Sequence, residues 1–262
     1  MDKETTTLHL FLEGLFRIGL WVFVVWLDGR MPYVRHIDED ELWYYRYPSV
    51  DSLVPRIHMY AIIVAVPFII YFFQFVTLRK NPHTVPDIVS GIYGLTLAYC
   101  MSGLFVATLK IAVGRPRPNF YLRCFPEGYG TDIDMCDGEY HGQMDGRKGF
   151  PSAHACFAFC CMTYMVIHLY HVLDLKRPRF LKGVIIVGMS LLMLVACGVA
   201  VSRTMDYHNN YSDVIGGALI GSSFAYLCDH LYCNRDVTLE TNIRSIMKVE
   251  VEEEEIIKEL EE

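Results

Sequence analysis

The sequence predicts an all-α polytopic membrane protein with six transmembrane helices and a polar site at its extracytoplasmic, or lumenal, face. Three observations predict it. Of the 262 residues, 53% are hydrophobic, above the roughly 45–50% usual for soluble domains. Six windows, about 9–28, 56–77, 86–109, 152–175, 180–201 and 212–232, each reach the ~20 mostly apolar residues that a bilayer-spanning helix needs. The polar residues between them gather in three islands, 110–118, 149–154 and 202–213.

The chain begins Met1-Asp2-Lys3-Glu4, mixed in charge, and no small-residue cleavage site follows the first apolar run. The first span is therefore expected to act as its own insertion signal. It carries Glu13 and Arg17, four apart on one helical face, read as a structural ion pair facing the bundle. Residues 29–55 form a polar, aromatic connection with Trp43-Tyr44-Tyr45 and Tyr47, a composition that favours the membrane interface.

The second span ends at a short loop with Arg79, Lys80 and Pro82, and the loop 173–182 contains Lys176, Arg177, Arg179 and Lys182. Short basic loops face the cytoplasm. Six spans then place both termini in the cytoplasm and put 29–55, 110–151 and 202–213 on the opposite face. The membrane domain is expected over 1–236, followed by an acidic cytoplasmic tail over 237–262. The run from Glu250 to Glu262 accounts for most of the net charge of −7 and reads as a solvated appendage.

Nine cysteines are scattered without metal-ligand spacing. Cys156, Cys160 and Cys161 lie in an apolar span and read as small packing residues. Cys124 and Cys136 share the long loop before residue 150, where an extracytoplasmic location would allow a disulfide. Gly217 and Gly221 form a small-xxx-small pair, read as close packing within the bundle. Asn210-Tyr211-Ser212 matches a glycosylation sequon, but its place at the membrane inside the proposed site argues against modification.

The predicted topology brings the three islands together. The third span delivers Lys110, followed by Gly114-Arg115-Pro116-Arg117-Pro118; the fourth begins at Pro151-Ser152-Ala153-His154; the fifth ends at Ser202-Arg203, and the sixth begins near Asp213. Ionisable groups at the end of a span are costly and mark function. Converging Arg and Lys at a helix N-terminus describe an oxyanion site, for which phosphate is the common biological ligand. Such a cage stabilises charge that develops during phosphoryl transfer. His154, at a helix start beside the cations, is placed as a general acid.

These islands resemble the signatures of the type 2 phosphatidic acid phosphatase (lipid phosphate phosphatase) superfamily: Lys-x6-Arg-Pro, Pro-Ser-x-His and Ser-Arg-x5-His-x3-Asp. Lys110 with Arg117-Pro118 completes the first, and Pro151-Ser152-Ala153-His154 the second. The flanks Gly114-Arg115-Pro116, Arg123-Cys124-Phe125-Pro126, Gly146-Arg147-Lys148 and Asp206-Tyr207 look like the diacylglycerol-pyrophosphate-phosphatase-like branch. The resemblance covers about residues 9–232. It implies hydrolysis of lipid phosphate monoesters without metal or cofactor. In the family the third-motif His attacks phosphorus to form a phosphohistidine, and the Asp four residues on orients it. Here that Asp is Asp213. The resemblance makes His154 the proton donor to the leaving alkoxide, and Lys110, Arg117, Ser152, Ala153 and Arg203 the phosphate-binding set. The expected partners are a phosphorylated lipid and the bilayer, with no nucleic acid. The membrane implied is the endoplasmic reticulum, another endomembrane or the plasma membrane.

The third motif departs from the pattern. After Ser202-Arg203 and five residues, the nucleophile position holds Asn209, and position 210 is also Asn. The amide nitrogen's lone pair is delocalised into the carbonyl, so Asn cannot replace imidazole as a nucleophile. His208 is the candidate substitute. It sits one residue early, about 100° away on a helix, and five residues from Asp213 rather than four. Two expectations follow: a lipid phosphate phosphatase that works around Asn209, through His208 or direct water attack assisted by His154, or a pseudo-phosphatase that binds phosphorylated lipids with its cage intact. A channel or transporter has little support, because the ionisable groups cluster at one face rather than along the midplane.

Overall fold

A computed structural model describes residues 3–81, 84–130, 136–173 and 179–232. Pro82, Lys176, Arg177 and the acidic tail 237–262 lie outside the described residues. The helices are α1 (Lys3–Asp28), α2 (Arg56–Leu78), α3 (Thr84–Val113), α4 (Phe120–Cys124), α5 (Tyr140–Gly146), α6 (Ala153–Val172), α7 (Arg179–Met205) and α8 (Tyr211–Tyr232), with a 3-10 turn over Glu39–Tyr45. No strand occurs among the described residues. Six helices are long and apolar enough to cross a membrane, and the chain is an integral, multi-pass membrane protein.

The bundle is organised around α6, which packs most extensively on α8 and also meets α7, α3 and α2. Tyr164, Met162, Met165, Cys160 and Cys161 of α6 are fully or almost fully buried, so the cysteines pack as the sequence suggests. Gly217 and Gly221 let α8 lie against α6. A Cβ at Gly217 would overlap the carbonyl oxygen of Ser152, and one at Gly221 that of Cys156. Close approach through small residues is how transmembrane helices associate when lipid is as apolar as the side chains.

Arg17 of α1 is buried and satisfied from several sides. It donates to the Glu13 carboxylate at 3.1 Å, to the Tyr93 carbonyl at 3.2 Å and to the Tyr232 hydroxyl at 2.6 Å. The pair thus pins α1 to α3 and α8, a structural role. α1 otherwise packs on α3, and α2 on α6 and α3, so α1 and α2 flank a space without packing closely on each other.

Two helices run past their apolar windows. α3 has 30 residues and so spans about 45 Å, more than the ~30 Å hydrocarbon core; its last turns carry Lys110 towards the polar region. α7 continues to Met205, which puts Ser202 and Arg203 on its final turn rather than beyond it. The helix stops at Tyr207, whose φ of 54° is left-handed. The His208 amide donates to the Arg203 carbonyl at 3.1 Å, and the Tyr207 amide to that of Thr204 at 3.2 Å. This is the Schellman pattern of a helix end, with Tyr where Gly is usual. The Tyr207 ring stacks on Tyr47, centroids 4.9 Å apart.

α8 starts with a reciprocal cap. The Asp213 amide donates to the Asn210 carbonyl at 3.0 Å, and the Asp213 carboxylate accepts the Asn210 amide at 2.9 Å, the carboxylate half of a capping box.

The polar end is closed by a small cap. Ile37, Leu42 and Tyr45 pack with Phe120, Tyr121, Cys124 and Phe125. Cys124 and Cys136 form a disulfide, with Cα atoms 4.8 Å apart.

Candidate active site

The ends of several helices converge on a cavity of about 480 Å³. Its polar end is lined by Lys110 of α3, Arg117 after it, Ala153 and His154 at the start of α6, Arg203 at the end of α7, and His208 and Asn209 in the turn to α8. The three islands therefore meet. The first-turn amides of α6 have no acceptor within the helix and add the positive end of its dipole.

Each cation in the cage is held by a carboxylate or a carbonyl. Arg203 is buried, donates to the Ser52 hydroxyl and lies 3.6 Å from the Asp206 carboxylate. Asp206 also accepts the Leu53 amide at 2.9 Å, so the connection 29–55 straps the end of α7. Lys110 lies 4.0 Å from Asp28, whose carbonyl accepts from Lys148. Burial pushes the Lys148 ammonium below its ordinary range, with Asp28 and Asp145 opposing that. Arg117 is grasped twice by Asp145: its Nε donates to the Asp145 carbonyl at 2.9 Å and its Nη2 to the Asp145 carboxylate at 3.1 Å.

His154 is buried, and its Nε2 has no hydrogen-bond partner. It is a polar atom left open beside a cationic cavity, as a group awaiting a ligand would be. His208 lies on the same wall. Its Nδ1 is 2.9 Å from the Asp206 carbonyl, which can only accept; Nδ1 therefore carries the proton, and Nε2 carries the free lone pair. Burial, then the Arg203 and Arg117 guanidiniums, push its pKa down to about 4. The imidazole is thus neutral at physiological pH, the form that a nucleophile or base requires.

The helical estimate of where His208 points does not apply, because the left-handed Tyr207 reverses the chain before it. Asn209, one residue on, turns its amide into the protein. Its Nδ2 donates to the Gly149 carbonyl at 2.6 Å, and its Oδ1 accepts from the Ser152 hydroxyl at 3.2 Å.

Two expected members sit behind the wall rather than on it. Ser152 is buried; its hydroxyl is taken by Asn209 and its amide by the Asp213 carbonyl at 2.9 Å. Asp213 is fully buried; its carboxylate pairs with Arg115 at 2.8 Å and caps α8.

Sequence reading missed Arg56, Asp145, Ser52 and Asp28, and quoted Arg123 only as a flank. Asp145 precedes the quoted flank Gly146-Arg147-Lys148, and Arg56 opens the second span; position beside a motif or a span end was the available signal.

The model of the PAP2 superfamily matches residues 91–236. Lipid phosphate phosphatase 2 of Arabidopsis thaliana is 35% identical over 227 residues, 82% of this chain and 74% of that protein. Probable lipid phosphate phosphatase 4 of the same plant is 30% identical over 227 residues, covering 82% and 71% of the two chains. Diacylglycerol pyrophosphate phosphatase 1 of Saccharomyces cerevisiae is 30% identical over 165 residues, 60% of this chain and 55% of its own. No solved structure matches the chain.

Proposed function

The chain belongs to the PAP2 superfamily, and from that premise we propose that it hydrolyses phosphate monoesters of membrane lipids without a metal ion, using His208 as its nucleophile. The carrying observation is that His208 lines the cationic cavity with Nδ1 tied to the Asp206 carbonyl, which leaves Nε2 free to attack.

The steps follow from the groups present. Lys110, Arg117 and Arg203 hold the phosphate oxygens, with the first-turn amides of α6 alongside. His208 Nε2 attacks phosphorus as the ester P–O bond breaks, and His154 gives its proton to the leaving alkoxide. Water then attacks the phosphohistidine and passes a proton back to His154. Orthophosphate leaves and His208 is restored.

A lipid substrate is supported by the cavity's other wall. Trp21, Val24 and Val25 of α1 face Met59 and Tyr60 of α2, with Val106, Ala107 and Phe157 between them. The headgroup end is charged and the remainder apolar, the layout that a single-tailed or two-tailed phosphate ester requires. Catalysis on the extracytoplasmic or lumenal face is supported by the Cys124–Cys136 pair beside the site, since disulfides persist in oxidising compartments. Both termini are then cytoplasmic.

The second reading is a pseudo-phosphatase that binds phosphorylated lipids. It rests on Asn209, which stands at the family's nucleophile position with both side-chain polar atoms engaged. Phosphate release from phosphatidate in detergent micelles with EDTA separates the two readings. Release by wild type that is lost in His208→Ala and His154→Ala is expected. Silence in wild type, with release appearing in Asn209→His, favours the pseudo-phosphatase.

A further inference from the structure

Asp145 is an anion inside a site proposed to bind anions. Its carboxylate lines the cavity and accepts from three guanidiniums: Arg117 at 3.1 Å, Arg56 at 3.2 Å and Arg123 at 2.8 Å. Burial alone would raise its pKa; Arg117, Arg123 and Arg56 outweigh burial and hold the carboxyl well below the usual carboxylate range. A fixed negative charge there repels a phosphate, so its presence needs a compensating role.

The grip on Arg117 supplies one. Asp145 engages that guanidinium twice, through its carbonyl to Nε and through its carboxylate to Nη2. The Nη1 of Arg117 reaches the His208 carbonyl at 3.3 Å. A guanidinium carries five N–H bonds in a rigid plane; with three engaged, the remaining two are fixed in direction. The same contact ties the plane to the turn that carries His208. Arg56 shares Oδ1 of the carboxylate with Arg117, while Arg123 holds Oδ2; Arg123 stands on α4, which the Cys124 bridge anchors.

We infer that Asp145 is a positioning residue, which orients Arg117 towards the phosphate and locks it to the His208 turn. The inference rests on the phosphatase reading, but its test is binding rather than turnover. The probe is inorganic phosphate, titrated calorimetrically into the detergent-solubilised full chain, with gel filtration and thermal melting as controls for folding. Asp145→Asn keeps shape and removes charge. If Asp145 were only a repelling charge, phosphate would bind more tightly in Asp145→Asn. If it positions Arg117, affinity falls about tenfold or more, the scale of a charge-assisted hydrogen bond. In an Arg117→Gln background Asp145→Asn then has no further weakening effect, because the residue it acts through is gone.

Equal or tighter phosphate binding by Asp145→Asn overturns the inference while leaving the phosphatase reading intact. A loss that simply adds to that of Arg117→Gln marks a general structural role and overturns it as well. No phosphate binding by wild type removes the site itself, and the inference with it. Should Asp145→Asn fail to fold, Asp145→Glu keeps the charge but displaces it. A smaller loss of affinity is expected there, and wild-type affinity overturns the inference.

Discussion

Asn209 donates to the carbonyl of Gly149 at 2.6 Å, across the junction between the segment before α6 and the turn before α8. The residue at the family's nucleophile position thus acts as a brace. Asn209→Ala leaves the Gly149 carbonyl and the Ser152 hydroxyl buried and unpaired, which costs about 1–3 kcal/mol. A lower melting temperature of the solubilised protein is the expected result; an unchanged one means the brace carries no load.

The acid limit of activity tests His208. Burial and the neighbouring Arg203 and Arg117 lower its pKa to about 4, so the neutral imidazole persists as pH falls until that range is reached. After correction for the substrate's second ionisation, kcat/KM measured from pH 4 to 8 should stay high through pH 5.5. A limb near the ordinary histidine value of about 6.5 would place the active group outside the cationic cavity.

Tyr207 sets two effects of similar size against each other. Its left-handed backbone costs about 1–2 kcal/mol for a non-glycine residue. Its stack on Tyr47 returns about 0.5–1.5 kcal/mol beyond burial. Tyr207→Gly should therefore melt close to wild type. Tyr207→Val loses the stack and worsens the backbone, and should melt lower; equal melting for Val and Gly would contradict the left-handed turn.

Glycine substitutions should divide by helix. Gly221→Ala and Gly217→Ala drive a Cβ into carbonyl oxygens of Cys156 and Ser152, prise α8 from α6, and should lower both melting temperature and phosphate release. Gly198→Ala meets nothing within 4 Å and should be neutral. A neutral Gly221→Ala would argue against the close α6–α8 contact.

The spans were legible because hydrophobic length is nearly sufficient to define a membrane helix, and each boundary fell within a few residues. The meeting of Lys110, Arg117, His154 and Arg203 was legible from ordered motifs combined with topology. The direction of His208 was not, because it depends on one left-handed residue that no periodicity reports. The contact of the Ser152 hydroxyl with Asn209 was not legible either, because the two are 57 residues apart in sequence. Asp145 and Arg56 are 89 residues apart in sequence, and only packing makes them neighbours.

The cavity has two walls of different origin. The family match begins at residue 91, and the charged end, Asp28, Ser52 and Arg56 excepted, comes from that part of the chain. The apolar side is completed by α1 and α2, which precede the match. Under the proposed function, selection on acyl length or unsaturation acts on Trp21, Val25 or Tyr60 without touching the cationic groups. Relatives could share one chemistry while diverging in which lipids of the bilayer they sample.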